Sequence, residues 1–342
     1  MKIGIPRALL YHYYYPFWKT YLDSLGIETI VSSPTNKWIM DNGAKHSVPE
    51  ICVPIKVYLG HVLELMEKKV DYIFVPRFVS IQKGQFFCPK FMGLPDIIRH
   101  SFPEIESILL SPYIESTTED LATSIKQYHI FEEKCDIRRS DNRKALKKAE
   151  AVWKKFRELS LKGYDIPEAT EMVMNDNCRI LEDRRSKNTD GKSEDIEITI
   201  GVLGYVYNIY DSVISLDILN RLKEMGVRVK TFEMLSEDKL KAQLANMPKT
   251  LFWTFSDKLF AAGNHFYQDS DIDGMIHVTA FGCGPDSMLG KLLELDSTRY
   301  EKPFMTVRID EHSGENHLQT RVEAFVDMLK RKKRNSKKGA LA

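Results

Sequence analysis

Short apolar runs and stretches of helical periodicity alternate at the start of the chain. Lys2 to Ile5 is a brief apolar run that opens a strand. Tyr11 to Leu25 repeats apolar and aromatic residues at helical spacing and is closed by Gly26, and Ile27 to Val31 is β-branched and strand-like. From Glu197 the same order returns, with a strand at Ile198 to Leu203, a helix at Asp211 to Met225 closed by Gly226, and a strand at Val227 to Thr231. A strand–helix–glycine–strand order met twice predicts an α/β protein with two related, Rossmann-like lobes, each a small parallel sheet carrying helices on its faces. Further strands are expected at Tyr72 to Val75, Ser107 to Leu110, Leu251 to Phe255, Gly274 to Thr279 and Phe304 to Ile309.

Between the two repeats the periodicity is helical and charged. Asn142 to Lys162 reads as a long amphipathic helix whose apolar stripe holds Val152, Trp153, Phe156 and Leu159, and the polar stretch Arg184 to Asp195 reads as an exposed linker. A chain of 342 residues exceeds what one core comfortably holds. The expected division is therefore an N-terminal α/β lobe over 1–135, a helical connector and polar linker over 136–195, and a C-terminal α/β lobe with a basic tail over 196–342. Tyr11, Tyr13, Tyr14 and Tyr15 fall at helical spacing and are read as packing, and His61 and His277 as structural histidines.

Composition changes this picture little. Apolar residues are 43% of the chain and charged residues 28%, an ordinary globular balance, and the net charge of +1 supplies no field to draw nucleic acid. The run Lys330 to Arg334, with Lys337 and Lys338, is read as a solvated helix end. No run reaches the ~18 apolar residues of a membrane span, and the N-terminus begins a strand where a signal peptide would place its apolar core. The expectation is a cytoplasmic protein with neither a membrane nor a nucleic acid as partner. Five cysteines, an odd number without secreted spacing, are expected to be free thiols or ligands.

Three of those cysteines share a setting. Cys52 is followed by Val53 and Pro54, Cys88 by Pro89 and Lys90, and Cys283 lies between Gly282 and Gly284-Pro285. Each ends an apolar run where a strand or loop gives way to a helix start, since proline is tolerated in a first helical turn. A thiolate there meets free backbone N–H groups that stabilise negative sulfur. In open α/β sheets ligands collect beyond the carboxyl ends of the strands, so the three thiols are expected to face one cleft between the lobes. Three such thiolates point to an iron–sulfur cluster with one iron left open. Zinc, or three unrelated buried cysteines, stay open as alternatives because no Cys-x-x-Cys pair is present. Cys135 and Cys178 lack a Gly/Pro turn and are read as incidental. Lys56 and Lys90, a few residues after Cys52 and Cys88, would favour an anionic site, with a simple surface ion pair the alternative. Asp286, Glu311 and His312 are candidates for supporting it; after the Phe304–Ile309 strand, Asp310-Glu311-His312-Ser313 is read as capping the helix from Glu315 and orienting the cluster loop, with a proton donor or metal ligand the alternative. Arg7 and Asn208, each just past a strand, are candidates to meet an anion, with ordinary loop hydrogen bonding the alternative.

The segments Gly4-Ile5-Pro6-Arg7-Ala8-Leu9-Leu10-Tyr11, Cys88-Pro89-Lys90-Phe91-Met92-Gly93-Leu94-Pro95-Asp96, Phe281-Gly282-Cys283-Gly284-Pro285-Asp286-Ser287 and Ile309-Asp310-Glu311-His312-Ser313-Gly314-Glu315 together carry a resemblance. They resemble the acyl-CoA dehydratase activase-related proteins, which are similar to the iron–sulfur subunits of 2-hydroxyacyl-CoA dehydratases and to the double-cubane cluster proteins. The resemblance runs from Met1 to about Met328 and is weakest in the helical middle. It implies a two-lobed α/β protein holding a 4Fe–4S or double-cubane cluster through Cys52, Cys88 and Cys283. It also implies a separate actin/Hsp70-like ATPase as donor of low-potential electrons, an acyl-CoA or other small substrate, and a homodimer or a pairing with a related subunit. The sequence contains no Gly-x-x-x-x-Gly-Lys-[Ser/Thr] loop of its own. The contrasting expectation is a non-catalytic, two-lobed binding or scaffold protein without a cluster.

Overall fold

The computed structural model describes residues 1–123, 125–175, 198–245, 247, 249–310 and 315–339. The chain forms two compact units, one of Met1–Glu158 with Thr250–Asp257, the other of Leu159–Lys249 with Lys258–Ala342.

In the first unit the elements run β1 (Lys2–Ile5), α1 (Tyr11–Ser24), β2 (Glu28–Val31), α2 (Lys37–Lys45), α3 (Val53–Glu67), β3 (Tyr72–Phe74), β4 (Arg77–Ile81), α4 (Pro89–Met92), α5 (Leu94–Ser101), β5 (Leu109–Leu110), β6 (Tyr113–Ser116), α6 (His129–Cys135) and α7 (Arg139–Leu161). Four strands make a parallel sheet in the order β2-β1-β3-β5, so the order reverses at β1. A second parallel pair, β4 with β6, continues the same two chains beyond it. The break has a covalent cause. Pro76 and Pro112 carry no N–H, and the bonds on either side of them, Val75 N to Leu110 O and Arg77 N to Pro112 O, are both 2.9 Å. The prolines thus end β3 and β5 early and hide their extensions from a reading of apolar runs.

The core of this unit is aromatic. Tyr13, Tyr14, Phe17 and Tyr21 of α1 are fully buried, as the helical spacing predicts. Tyr14 packs on Trp153 with ring centroids 4.7 Å apart, and Tyr13 meets Trp153 edge-on at 5.1 Å and Phe255 at 6.0 Å. Helices α2 and α3 cross in backbone contact. A methyl group at Gly43 would fall 2.0 Å from the Lys56 carbonyl oxygen, and one at Gly60 would fall 2.0 Å from that of Ile39.

The second unit contains α8 (Ile166–Asn175), β7 (Ile198–Leu203), α9 (Val206–Ile209), α10 (Ile218–Glu224), β8 (Val227–Lys230), α11 (Glu237–Leu244), α12 (Thr254–Gln268, within this unit from Lys258), β9 (Gly274–Ala280), α13 (Gly284–Tyr300), β10 (Phe304–Ile309) and α14 (Glu315–Gly339). Its sheet is again parallel, in the order β8-β7-β9-β10, which reproduces the strand order of the first unit. Strands β7 and β9 are buried along their whole length and read as continuous apolar runs, as parallel strands covered on both faces do. The α/β architecture with parallel sheets is the one the pattern of the sequence predicts.

Two local expectations are corrected. The single helix over Asp211 to Met225 is instead a series of turns followed by α10, because Asp211 Oδ1 accepts from the N–H groups of Val213 and Ile214, 3.0 Å each, and Leu216 and Asp217 take left-handed conformations. The strand over Leu251 to Phe255 is a single bridge between Trp253 and Phe86, after which α12 begins at Thr254. Phe252, at φ +72°, turns the chain there. The basic run Lys330–Arg334 continues α14 as helix. The polar stretch Arg184 to Asp195 lies outside the described residues.

A candidate thiolate site at helix N-termini

Cys52 is the N-cap of α3 (φ −67°, ψ 149°) and Cys88 the N-cap of α4 (φ −63°, ψ 156°), nearly the same backbone conformation. Proline in the first turn enforces both starts. Each cysteine carbonyl accepts the first helical bonds, Ile55 N to Cys52 O at 3.0 Å and Phe91 N to Cys88 O at 2.9 Å. The cap side chain occupies the position of an ordinary serine or aspartate cap; it makes no cap hydrogen bond, but the first N–H groups of the helix lie near enough to favour a negative sulfur. Here sulfur takes that place.

The structure brings these two thiols, 36 residues apart in the sequence, within electrostatic reach of each other. Burial is the dominant influence and pushes both thiols above the ordinary cysteine value. Against it work the Lys90 charge and the N–H groups of Ile55 and Cys52 at the Cys52 sulfur, and the N–H groups of Phe91 and Lys90 at the Cys88 sulfur. A negative charge on Cys52 raises Cys88 further. Burial outweighs these donors at both sulfurs. A bound cation would reverse that balance, since thiolate ligation removes the proton.

Lys90 serves the site across the sequence. It lies in the first turn of α4, yet among charged groups its influence on Cys52 exceeds that of Lys56, which is itself buried in α3. An apolar cavity of about 30 Å³ lies among Ile5, Pro6, Leu9, Tyr58, Phe91 and Leu94. Leu9, buried and left-handed at φ 53°, forms part of its wall. The cavity sits beyond the carboxyl ends of β1 and β3, where the strand order reverses.

Cys283 belongs to the second unit and is the N-cap of α13, with Pro285 in the first turn and Ser287 N donating to the Cys283 carbonyl at 3.0 Å. It follows β9, which neighbours β7 at that unit's own reversal of strand order. Gly282, at φ 75°, makes the turn. Asp286, read from the sequence as a supporting residue, does not face solvent. It is fully buried and bonds His277 Nε2 on β9 at 3.0 Å, pinning the first turn of α13 to the strand beneath it. A methyl group at Gly290 would meet the His277 ring at 2.9 Å, so the glycine makes room for that pairing. His277 is structural, and its partnership with Asp286, nine residues on, has no local signature in the sequence.

Among the described residues no three His, Cys, Asp or Glu side chains are gathered closely enough to hold a metal ion. The donor set nevertheless suits a thiolate-ligated group in its chemistry: two half-buried thiols within electrostatic reach of each other, each at a helix start, with the Lys90 charge acting on both. Cys135 ends α6, away from any such turn, and burial pushes its thiol up to about 11. Cys178, Glu311 and His312 lie outside the described residues. His61 is fully buried and bonded on both ring nitrogens, to Ser32 Oγ at 2.9 Å and Thr35 Oγ1 at 3.0 Å. No helix among the described residues is long and apolar enough to cross a membrane.

Comparison with known proteins adds a family. The sequence pattern of the CoA enzyme activase uncharacterised domain matches residues 2–235. No protein of curated function matches the chain. Among solved structures, the UDP-GlcNAc 2-epimerase of Methanocaldococcus jannaschii, crystallised with UDP-GlcNAc and UDP, is similar at 12% identity over 95% of this chain and 92% of that one. Its TM-score of 0.24 is too low to bear on either fold or function.

Proposed function

Because the chain belongs to the family of the CoA enzyme activase uncharacterised domain, we propose that it is an iron–sulfur protein of the 2-hydroxyacyl-CoA dehydratase-like group. The observation that carries this reading is the placement of Cys52 and Cys88 at two helix N-caps of like conformation, within electrostatic reach of each other. Cys52, Cys88 and Cys283 would hold a 4Fe–4S or double-cubane cluster. Such a cluster, held by three thiolates, supplies one open iron and a carrier for single electrons at low potential.

The chain's own residues have definable parts in this reading. The N–H groups of Ile55, Phe91 and Lys90 offset negative charge on sulfur, and Lys90 adds a full positive charge. The His277–Asp286 pair fixes the helix that presents Cys283. The electron donor would be a separate actin/Hsp70-like ATPase, and the substrate a small molecule or an acyl-CoA undergoing reduction or radical dehydration. A homodimer, or a related subunit, would be needed where two cubanes are joined. The compartment of this chemistry would be the cytoplasm.

The test is anaerobic purification with visible absorption and iron and sulfide analysis. A brown protein with about four irons per chain, the content of one cuboidal cluster, is the expected result, and Cys52→Ser, Cys88→Ser and Cys283→Ser should each lose iron and colour. Full iron in Cys283→Ser would remove that residue from the ligand set. A colourless protein that resists reconstitution would leave a two-lobed binding or scaffold protein, and stoichiometric zinc would replace iron in the assignment.

A further inference from the structure

Arg7 stands just past β1, the strand at which the order of the first sheet reverses. It is held at three points. Its backbone N–H donates to Ser32 Oγ at 2.7 Å, its Nε donates to the Ser32 carbonyl at 3.1 Å, and its guanidinium carbon lies 5.6 Å from the centre of the Tyr11 ring. Ser32 is in turn fixed by fully buried His61, which Thr35 holds from its other side.

All of these partners are neutral. Burial lowers His61 to about 3, so it carries no charge near neutrality. The carboxylate on the same helix, Glu64, is already engaged by Ser33 N at 2.8 Å and by Lys68 at 3.0 Å. Arg7 itself forms no ion pair among the described residues, and its two terminal nitrogens have no hydrogen-bond partner there. A strut for the Ser32–Thr35 loop would need only the backbone N–H and Nε. What that role leaves unexplained is a half-buried positive charge whose end-on fork is open.

We propose that Arg7 anchors an oxyanion site at the carboxyl end of β1, taking a phosphate or carboxylate group of a small ligand. The two terminal nitrogens of a guanidinium match two oxygens of such a group. Tethering through N, Nε and the Tyr11 ring removes most of the side-chain freedom that binding would otherwise have to quench. The site lies where ligands collect in open parallel sheets. It goes beyond the cluster assignment and does not depend on it.

The experiment is calorimetric titration of the full-length chain with inorganic pyrophosphate, coenzyme A and malonate, run on Cys52→Ser/Cys88→Ser protein so that iron plays no part. At least one anion is expected to bind, with Arg7→Gln weakening it about 10- to 100-fold, the range of a charge-assisted hydrogen bond. Arg7→Lys keeps the charge and the backbone bond but loses the fork, and is expected to weaken binding about 10-fold. Binding of pyrophosphate and coenzyme A alone identifies a phosphate site, and binding of malonate alone a carboxylate site. Thermal melts check folding, and Arg7→Lys carries the comparison if Arg7→Gln does not fold. Absence of binding by all three anions, or equal binding by the wild-type side chain and its variants, would overturn the proposal.

Discussion

Replacing Gly60 by alanine tests how closely α2 and α3 cross. The new methyl carbon would lie 2.0 Å from the Ile39 carbonyl oxygen and 2.8 Å from the carbonyl carbon, both backbone atoms that cannot rotate away. Ordinary contact begins near ~3.5 Å, so the helices would have to separate by more than about 1 Å. Overpacking of this kind costs about 1–3 kcal/mol, and a clash with backbone belongs at or above the upper end. For a unit of this size about 3 kcal/mol corresponds to a melting transition lowered by about 6–12 °C. The assay is urea and thermal unfolding followed by circular dichroism, with Gly284→Ala as the control, since a methyl group there meets no heavy atom within 4 Å. Gly43→Ala should behave like Gly60→Ala and also press on the Lys56 carbonyl, in the turn whose N–H groups face Cys52. A Gly60→Ala protein within about 0.5 kcal/mol of wild type, the scatter of ordinary surface substitutions, would refute the reasoning.

Two further outcomes follow from buried histidines. Burial lowers His61 from 6.5 to about 3, so the unfolded chain binds its proton first. The stability this group contributes is complete above pH 6.5 and is lost as pH falls toward 3, at about 1.4 kcal/mol per pH unit. Urea unfolding at pH 7.5 and pH 5 should show about 2 kcal/mol of acid sensitivity that His61→Gln lacks; equal slopes in the two proteins would count against it. Asp286→Ala leaves His277 buried with both ring nitrogens unbonded, and should destabilise the second unit by about 1–3 kcal/mol. Urea unfolding reads this directly, and an unchanged midpoint would mean that the pair does not fasten α13.

Much of the fold was legible because parallel strands covered on both faces are short apolar runs, and β1, β7 and β9 announce themselves that way, while the edge strands β2 and β10 show as β-branched or alternating runs. Extensions β4 and β6 were not legible, since Pro76 and Pro112 break the runs that would have revealed them. Nor was the interruption at Leu216 and Asp217, where apolar spacing continues although the backbone turns left-handed. At the candidate site, the prolines after Cys52, Cys88 and Cys283 were enough to mark three helix starts. The proximity of Cys52 to Cys88 depends on how α3 and α4 are placed by the sheet, and no local pattern encodes it. The same holds for Lys90, which neighbours Cys88 in sequence but acts most strongly, among charged groups, on Cys52.

The segment Thr250–Asp257 belongs to the first unit although it follows most of the second in sequence. It is tied there by Phe86 N to Phe252 O and Thr254 N to Phe86 O, both 3.1 Å, and by Gln85 Nε2 donating to Asp257. Those bonds grip the chain just ahead of Cys88. On the ribosome, therefore, the loop bearing Cys88 waits for its last partner until residue 257 has left the exit tunnel, long after the cysteine itself has emerged. A fragment ending at residue 235, where the family match stops, would leave Gln85 and Phe86 without those partners, so the Cys88 loop would be fastened only in a chain translated well beyond that boundary.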